Sequence, residues 1–312
     1  MRDLRFVWLE ITGKCQLTCS HCYAESGPKG GDGAMSSADW CRVIDEVAQL
    51  GGRMVQFIGG EPTLYRGLPA LVRRALDQRL EVEVFNNLVH VSGELWETFA
   101  QPGVRLATSY YSDDAAEHEA ITRGRGSHAR TKANIIEALR RSVPVRVGLV
   151  DVQDGQRVEQ ARAELEALEV TEIGSDHLRR VGRGIRQRRP GIDQLCGHCA
   201  RGKVAVSPNG DVWPCVFARW MPVGNVRGRT LAELLNSPEM ATVTATLASR
   251  FPVPEMPCVP RMCNPECGPN CGPACNPSCW PHGTGPCGPK GGCAPNYGTC
   301  GPDDEDDQED DD

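Results

Sequence analysis

Apolar and polar positions follow two different periods along the first part of the chain. Short apolar runs such as residues 6–11 and 54–58 predict buried strands. Between them, stretches such as residues 36–51 carry apolar side chains every three or four positions, which predicts helices. The pattern gives about six strand–helix alternations, and such an alternation is typical of parallel strands covered by helices.

The remaining elements follow from the same reading of the sequence. Further strands are predicted at residues 80–87, 104–112, 143–152 and 170–176, and further helices at 67–78, 95–99, 131–141, 158–169 and 231–249. A long polar loop is predicted before the helix at 131, with His118 and His128 as solvent-exposed loop residues. Residues 203–215 predict a hairpin, because Asn209-Gly210 is a turn sequence between two strand-like segments.

Charge and composition change this picture only near the end of the chain. The 312 residues carry a net charge of −7, but nine acidic residues lie among the last ten. Removing those nine negative charges leaves +2, so the body is nearly neutral and the end predicts a solvated, disordered tail. The sequence contains no apolar run of about 18 residues, so it predicts no membrane span. No secretory signal is recognisable, so we expect a cytoplasmic protein.

The 16 cysteines are unevenly distributed. Three lie in one early loop, Cys41 lies alone in a predicted helix, and the others follow from Cys196 onward. Disulfides are disfavoured in a reducing compartment, so metal ligation is the first interpretation of these groups. Cys41 is expected to be a small buried apolar residue.

The early loop carries the strongest chemical signal. It reads ITGKCQLTCSHCY and places Cys15, Cys19 and Cys22 directly after the first predicted strand. Three thiolates leave one iron of a four-iron cluster open to a small molecule. The alternative is a zinc site, which requires a fourth ligand in tetrahedral geometry, and His21 is poorly placed to provide it.

This loop resembles that of the radical S-adenosylmethionine (SAM) superfamily, and further segments extend the resemblance. It implies that the turn Gly59-Gly60-Glu61-Pro62 binds the amino group of SAM, with glycines that let a ligand approach and leave backbone groups free. It also implies that Asn86 contacts the ribose, because Asn86 and Asn87 match the place where relatives make that contact. Ser109 and Arg123 match a motif of peptide-modifying relatives, and Arg123 is expected to pair with the SAM carboxylate. Tyr111 stands where those relatives usually have an aspartate.

A second cysteine group follows the barrel-like part. The predicted hairpin brings Cys199 and Cys215 together, and Cys196 precedes them. This arrangement resembles the SPASM or twitch domain that holds an auxiliary iron–sulfur cluster. The resemblance also implies Cys258, Cys263 and Cys267 as further ligands of this cluster. The alternative for this second cysteine group is a zinc ion bound to a ribbon. The arginine-rich residues 179–189 are interpreted as a solvated linker, with contact to an acidic substrate as the alternative.

Together these features predict an α/β fold, a partial parallel (β/α)6 barrel of radical SAM type. We expect the barrel at residues 1–185, a small Cys-rich auxiliary-cluster domain at 186–280, and a disordered tail at 281–312. The resemblance implies a [4Fe-4S] cluster that binds SAM, SAM itself, and one or two auxiliary iron–sulfur clusters. The implied reaction is reductive cleavage of SAM to a 5′-deoxyadenosyl radical, which removes a hydrogen atom from the substrate.

The favoured substrate is a ribosomally synthesised precursor peptide, because the auxiliary domain resembles that of peptide maturases. The alternatives are a small-molecule radical SAM enzyme, acting on a sugar or a cofactor precursor, and a non-enzymatic metal-binding scaffold. A one-electron reductant such as flavodoxin or ferredoxin is an expected partner. A separate leader-peptide-binding protein is another, because the first strand begins within a few residues of Met1. No nucleic-acid-binding signature is present.

Truncation after Pro281 is predicted to leave SAM cleavage within a few-fold of that of the full chain. The residues beyond it are mostly glycine, proline, polar and acidic, and offer little that could pack on a barrel. The measurement is 5′-deoxyadenosine formation by anaerobically reconstituted protein. Loss of iron or of cleavage would mean that this segment is structural.

Overall fold

The computed structural model describes residues 4–185 and 190–252. The chain divides into a unit Met1–Arg250 and a unit Phe251–Asp312, and the elements below all belong to the first. Cys258, Cys263, Cys267 and the expected tail lie outside the described residues. The expected domain boundary at residues 185 and 186 stays a prediction.

One nine-stranded sheet organises the described residues, in the order β6-β5-β4-β3-β2-β1-β7-β8-β9. The strands are β1 (Phe6–Thr12), β2 (Met54–Gly59), β3 (Glu81–Phe85), β4 (Val104–Tyr110), β5 (Val145–Asp151), β6 (Glu172–His177), β7 (Lys203–Val206), β8 (Asp211–Trp213) and β9 (Gly224–Asn225). The helices are α1 (Ser37–Gln49), α2 (Leu68–Asp77), α3 (Gly93–Phe99), α4 (Ala115–Thr122), α5 (Ser127–Arg140), α6 (Val158–Ala167), α7 (Leu231–Leu235) and α8 (Pro238–Arg250).

The strand pairings confirm the predicted fold class. Strands β1 to β6 pair in parallel with their sequence neighbours, and helices connect them. Strand β7 extends the sheet by pairing in parallel with β1, and β7 and β8 form the predicted hairpin. Its turn contains Gly210 with a φ of +89°, a conformation that favours glycine.

The two faces of this sheet differ in polarity. Side chains alternate between faces along a strand, and one set is aliphatic and fully buried, including Val7, Leu9 and Phe57. Side chains at the intervening positions, such as Gln56 and Glu83, face the barrel interior and are polar. The helices therefore cover an apolar face, while the interior keeps groups that can bind polar ligands.

A buried carboxylate joins four neighbouring strands in this interior. Glu83 is 1% exposed and accepts two hydrogen bonds from Arg146, at 2.7 and 2.8 Å. Arg105 contacts the same carboxylate at 2.8 Å, and Gln56 donates a further hydrogen bond to it. Burial alone would raise the pKa of Glu83, but the Arg146 guanidinium holds it below its usual value.

The polar loop predicted before residue 131 is not a loop in the structure. It contains α4, which begins at the N-cap Asp114, and α5 begins at Ser127. His118 and His128 are buried, so their expected exposure was wrong. Their rings pack against Tyr110, whose hydroxyl hydrogen-bonds with His128 Nε2 at 2.7 Å. The separation of polar and apolar residues in α4 is weak because its buried face includes the polar His118 and Thr122, while Ala116 and Ala120 are exposed.

The helix predicted at residues 231–249 is divided in two. Helix α7 ends at Leu235, and Ser237 accepts a hydrogen bond from the Met240 amide at the start of α8. Pro238 is the first residue of α8, where its missing amide hydrogen costs nothing.

Cys41 is half-buried rather than buried. None of the described helices is long and apolar enough to cross a membrane.

Replacing Glu83 by alanine is predicted to lower the free energy of unfolding by about 3–5 kcal/mol, because two guanidinium groups lose their buried partner. Because the pKa of Glu83 is depressed by folding, its contribution is present above the unfolded pKa and is lost as pH falls through the folded one. Urea unfolding at neutral and acidic pH measures both effects. Glu137→Ala, at an exposed ion pair, is the control and should change stability little. Equal losses in the two variants would contradict the prediction.

Candidate functional site

The cysteine loop, residues 13–31, lies at the carboxyl end of β1. Burial, together with the other cysteines nearby, raises the pKa of both Cys15 and Cys19 to about 12. Within the described ranges, no three His, Cys, Asp or Glu side chains are close enough to hold a single metal ion. Desolvated thiols of this kind become ligands when a bound metal centre stabilises their thiolate form.

The Gly59-Gly60-Glu61 turn after β2 holds one side of the cysteine loop. Gly60 donates its backbone amide to the Thr12 carbonyl, and Glu61 donates its amide to Lys14, both at 2.7 Å. A Cβ on Gly60 would lie 2.0 Å from the Lys14 oxygen. The glycines therefore permit close approach of the cysteine loop. Contrary to the expectation of free backbone groups in this turn, these two amides are already hydrogen-bonded. Their contact with SAM stays a prediction.

A second segment, missed by sequence analysis, holds the other side of the loop. The Arg183 side chain donates to the carbonyls of Cys19 and Ser26, both at 2.8 Å, and its amide donates to Cys22 at 2.9 Å. Gly182 has a φ of +57°, and a Cβ there would lie 2.3 Å from the Tyr23 oxygen. Arg183 is therefore not part of a solvated linker. Residues 186–189 lie outside the described ranges.

The end of α4 completes the enclosure of the cysteine loop. Ser20 donates its amide to the Ile121 carbonyl at 2.9 Å, and Thr18 donates to Thr122 at 3.4 Å. Arg123 follows directly in the left-handed conformation, with φ +53°, and its side chain is exposed. It makes no ion pair with another described residue, so its guanidinium is available for the carboxylate pairing that the sequence analysis assigned to it.

Two N–H groups point at the sulfur of Cys15. The Leu17 amide lies 3.4 Å from it and the Asn87 side-chain amide 3.8 Å. Hydrogen bonds to a ligating sulfur tune the reduction potential of an iron–sulfur centre. The structure thus brings Asn87 to the loop, whereas Asn86 uses its Oδ1 to accept the Leu88 amide. A ribose contact by Asn86 stays a prediction.

Glu61 joins the second and third strand ends beneath the loop. Its carboxylate accepts the amides of Asn87 at 2.8 Å and Thr63 at 3.0 Å, and also the Thr63 hydroxyl at 2.7 Å. The side chain is 1% exposed, and burial raises its pKa. The geometry gives Glu61 a supporting role for Asn87, and a direct SAM contact stays a prediction.

Tyr111 faces the cysteine loop from the end of β4. Its ring packs edge-on against His21, with 5.0 Å between centroids. Burial, and then the neighbouring Cys19, raises the pKa of Tyr111 well above its usual value. Burial also lowers the pKa of His21 to about 4, so that the imidazole is neutral. Tyr111 thus takes an inward position where the peptide-modifying relatives usually carry an acidic side chain.

The interior beside Tyr111 is open. Ser109 pairs in register with Gly148, which pairs with Gly174. A Cβ on Gly174 would have nothing within 4 Å, and one on Gly148 only a backbone oxygen at 3.7 Å. Next to Ser109, the neighbouring strands β5 and β6 both carry glycine, so no side chain from them fills the interior there. This space can accept a ligand next to the cysteine loop.

The second cysteine group is partly assembled. Cys199 and Cys215 are buried across the base of the β7–β8 hairpin, and Cys196 is exposed beside them. The hydrogen bond between the first two thiols raises the pKa of Cys199 and lowers that of Cys215. Two neighbouring thiols of this kind fit an iron–sulfur centre, because a bound metal stabilises the thiolate form of its cysteine ligands.

Comparison with known proteins agrees with both cysteine groups. The family model described as the Radical SAM superfamily matches residues 9–168, which is more than half of the chain. A family described as an iron–sulfur cluster-binding domain matches residues 196–272. The chain is similar to the PqqA peptide cyclase of Xanthomonas campestris pv. campestris, with 25% identity over 75% of this chain and 73% of the relative.

Other curated relatives match over shorter regions. The PqqA peptide cyclase of Rhodopseudomonas palustris is 31% identical over 40% of this chain and 33% of its own length. The probable GTP 3′,8-cyclase of Methanopyrus kandleri is 30% identical over 48% of each chain. The chain thus spans about a third to a half of these relatives. Among solved structures, Streptococcus suis SuiB bound to precursor peptide SuiA has a TM-score of 0.66 at 14% identity, covering 77% of this chain and 67% of SuiB. This last similarity concerns the fold.

Gly182→Ala is predicted to lower the iron content of the reconstituted protein by up to roughly four irons per chain, those of the loop cluster, because the added methyl group would displace Tyr23 and Cys22. Iron per chain and the cluster absorbance measure the effect. Gly155→Ala is the matched control, since Gly155 has φ +76° but nothing within 4 Å of a Cβ. Both variants carry the backbone strain, and only the first carries the clash. Equal iron in the two variants would contradict the role given to this turn.

Proposed function

We propose that this protein, which belongs to the radical SAM superfamily, cleaves SAM reductively and modifies a ribosomally synthesised peptide. The observation that carries the proposal is the enclosure of Cys15, Cys19 and Cys22 by three segments beside an open barrel interior. A four-iron cluster held there would pass one electron from an external reductant to SAM, which would be cleaved to methionine and a 5′-deoxyadenosyl radical able to remove a hydrogen atom from the substrate.

The residues of this chain would bind and orient the reactants. Cys15, Cys19 and Cys22 would ligate the cluster, while Arg183 and the Gly59–Gly60 turn keep the loop in one conformation. Ser109 and Arg123 would contact SAM through hydrogen bonding and charge. Fixing both reactants in the interior lowers the entropic cost of the hydrogen transfer and excludes water from the radical.

Cys196, Cys199 and Cys215 would hold an auxiliary iron–sulfur cluster, with Cys258, Cys263 and Cys267 as further candidate ligands. The match to an iron–sulfur cluster-binding domain supports this assignment. Such a centre can bind substrate or accept an electron from a substrate radical. A one-electron donor such as flavodoxin or ferredoxin and a separate leader-binding protein are proposed partners.

A peptide substrate is favoured because relatives named PqqA peptide cyclase match the chain, one of them over three quarters of its length. A small-molecule substrate is the second candidate, supported by the relative named a probable GTP 3′,8-cyclase. Incubation with SAM and with any short peptide encoded beside the gene, followed by mass spectrometry, separates them. A mass change in the peptide supports the first, and its absence with normal SAM cleavage supports the second.

Replacing Cys15, Cys19 and Cys22 together by alanine is predicted to abolish 5′-deoxyadenosine formation, because the loop would lose all three thiols proposed to hold the SAM-binding cluster. The auxiliary iron should remain, at roughly four irons per chain, or about eight if a second auxiliary site forms. Cys41→Ala is the control and should keep both iron and cleavage. Full cleavage by the triple variant would reject the enzymatic assignment, and zinc in place of iron would reject the auxiliary cluster.

A further inference from the structure

The turn between α4 and α5 carries an excess of positive charge. Residues 120–136 contain three arginines and one lysine but no aspartate or glutamate. Lys132 pairs with Glu164 on α6. Arg125 and Arg130 are exposed, and neither makes an ion pair with another residue in the described ranges. Unpaired surface cations of this kind attract acidic partners and raise their rate of association.

The backbone of this turn keeps the two arginines together. Arg130 donates a hydrogen bond from Nη2 to the backbone carbonyl of Arg125. Its guanidinium carbon would lie 3.4 Å from a Cβ on Gly126, so the guanidinium packs over the turn. The positive charge of Arg130 is therefore held beside the residue that carries the second one.

The acidic residues at the start of α4 are already balanced. Asp113 accepts two hydrogen bonds from the Arg157 guanidinium, at 2.8 and 2.6 Å. Glu117 accepts the backbone amide of Arg157 at 3.1 Å. These carboxylates therefore do not cancel the positive charge of the turn.

An exposed apolar strip on α5 continues from the positive turn. Ala129, Ala133 and Ile136 are exposed and follow one another at helical spacing, so they lie on one face of the helix. Ile136 is 44% exposed and is one of three large exposed hydrophobic side chains in the described part of the chain. The strip is about 10 Å long at the rise of a helix. Apolar surface beside unpaired charge is typical of a site that binds another protein.

The same turn is in direct contact with the cysteine loop. A Cβ on Gly124 would lie 2.3 Å from a methyl carbon of Leu17. Leu17 is buried in a small cluster with Cys15, and Cys19 packs against that cluster. One side chain therefore separates the positive turn from two of the three loop cysteines.

An electron carrier must dock close to the group that it reduces, because electron transfer slows steeply with distance. We propose that Arg125, Arg130 and the exposed face of α5 at residues 129–136 bind an acidic one-electron carrier protein of the flavodoxin or ferredoxin class. The reduced carrier would lose one electron and the cluster proposed for the loop would gain it, with no other bond formed or broken. The inference rests on the proposed function, since it names the place where the electron donor of that function binds.

Binding of the carrier to the full, reconstituted chain tests this surface. Fluorescently labelled flavodoxin and ferredoxin are titrated with the protein, and anisotropy gives the Kd at low and at high salt. The double variant Arg125→Glu/Arg130→Glu should bind the preferred carrier about tenfold more weakly at low salt, with a smaller salt dependence. The control Arg53→Glu/Arg73→Glu changes two exposed arginines elsewhere by the same net charge and should stay within about twofold of the wild type.

The variant Ile136→Ser tests the apolar part of the surface. It should weaken carrier binding several-fold and leave the salt dependence unchanged, because apolar burial is not screened by salt. The precursor peptide encoded beside the gene is titrated as a second probe. The proposal would be overturned by a wild type that binds neither carrier, by variants that bind it as the wild type does, or by a loss confined to the peptide.

The rate of cluster reduction separates this proposal from the proposed function. The cluster absorbance is followed anaerobically after mixing with the reduced carrier or with dithionite, which needs no docking surface. The arginine double variant should be reduced about tenfold more slowly by the carrier and normally by dithionite. Equal slowing with both reductants would overturn the docking role. If binding and reduction depend on the arginines but no 5′-deoxyadenosine forms, the surface stands and only the proposed function fails.

Discussion

The structure depends on the backbone hydrogen bonds that hold the cysteine loop. The loop has little regular secondary structure, so its peptide groups need partners from elsewhere. Glu61, Ile121 and Arg183 provide them from three separate segments that follow the carboxyl ends of strands. A loop held in this way presents its three thiols on one backbone conformation.

The polar interior of the sheet follows from its open edge. A closed parallel barrel fills its centre with branched apolar side chains, whereas this sheet keeps Glu83 and Arg146 at one level and glycines at the next. The buried ion pair between Glu83 and Arg146 connects and stabilises the strands. Gly148 and Gly174 leave a space in which a ligand can contact the cysteine loop.

Much of the fold could be predicted from sequence because strands and helices bury one face each. Periodicity identified β1 to β6, and Asn209-Gly210 identified the hairpin. Helix α4 was missed because its polar and apolar residues do not separate clearly around the helix. The division between α7 and α8 was missed although Ser237-Pro238 is a recognisable helix start.

The candidate site could be predicted only where it follows a local motif. The three loop cysteines have fixed spacing, so sequence identified them directly. Arg183 and Asn87 act on the loop through contacts with residues distant in sequence, and a local motif does not show such contacts. The Gly182-Arg183-Gly184 turn was the available signal, since two glycines around one arginine suggest close packing of the backbone.

The pairing of β1 with both β2 and β7 has a consequence for how the protein is made. On the ribosome, β1 and the cysteine loop emerge early, whereas β7 and Arg183 emerge late. Until then one edge of an apolar strand lacks its neighbour, and the thiols lack one of their three supports. Pairing between segments so far apart in sequence is slow to form. A chain released before β7 and Arg183 have emerged would therefore expose one edge of β1 and the thiols of the loop.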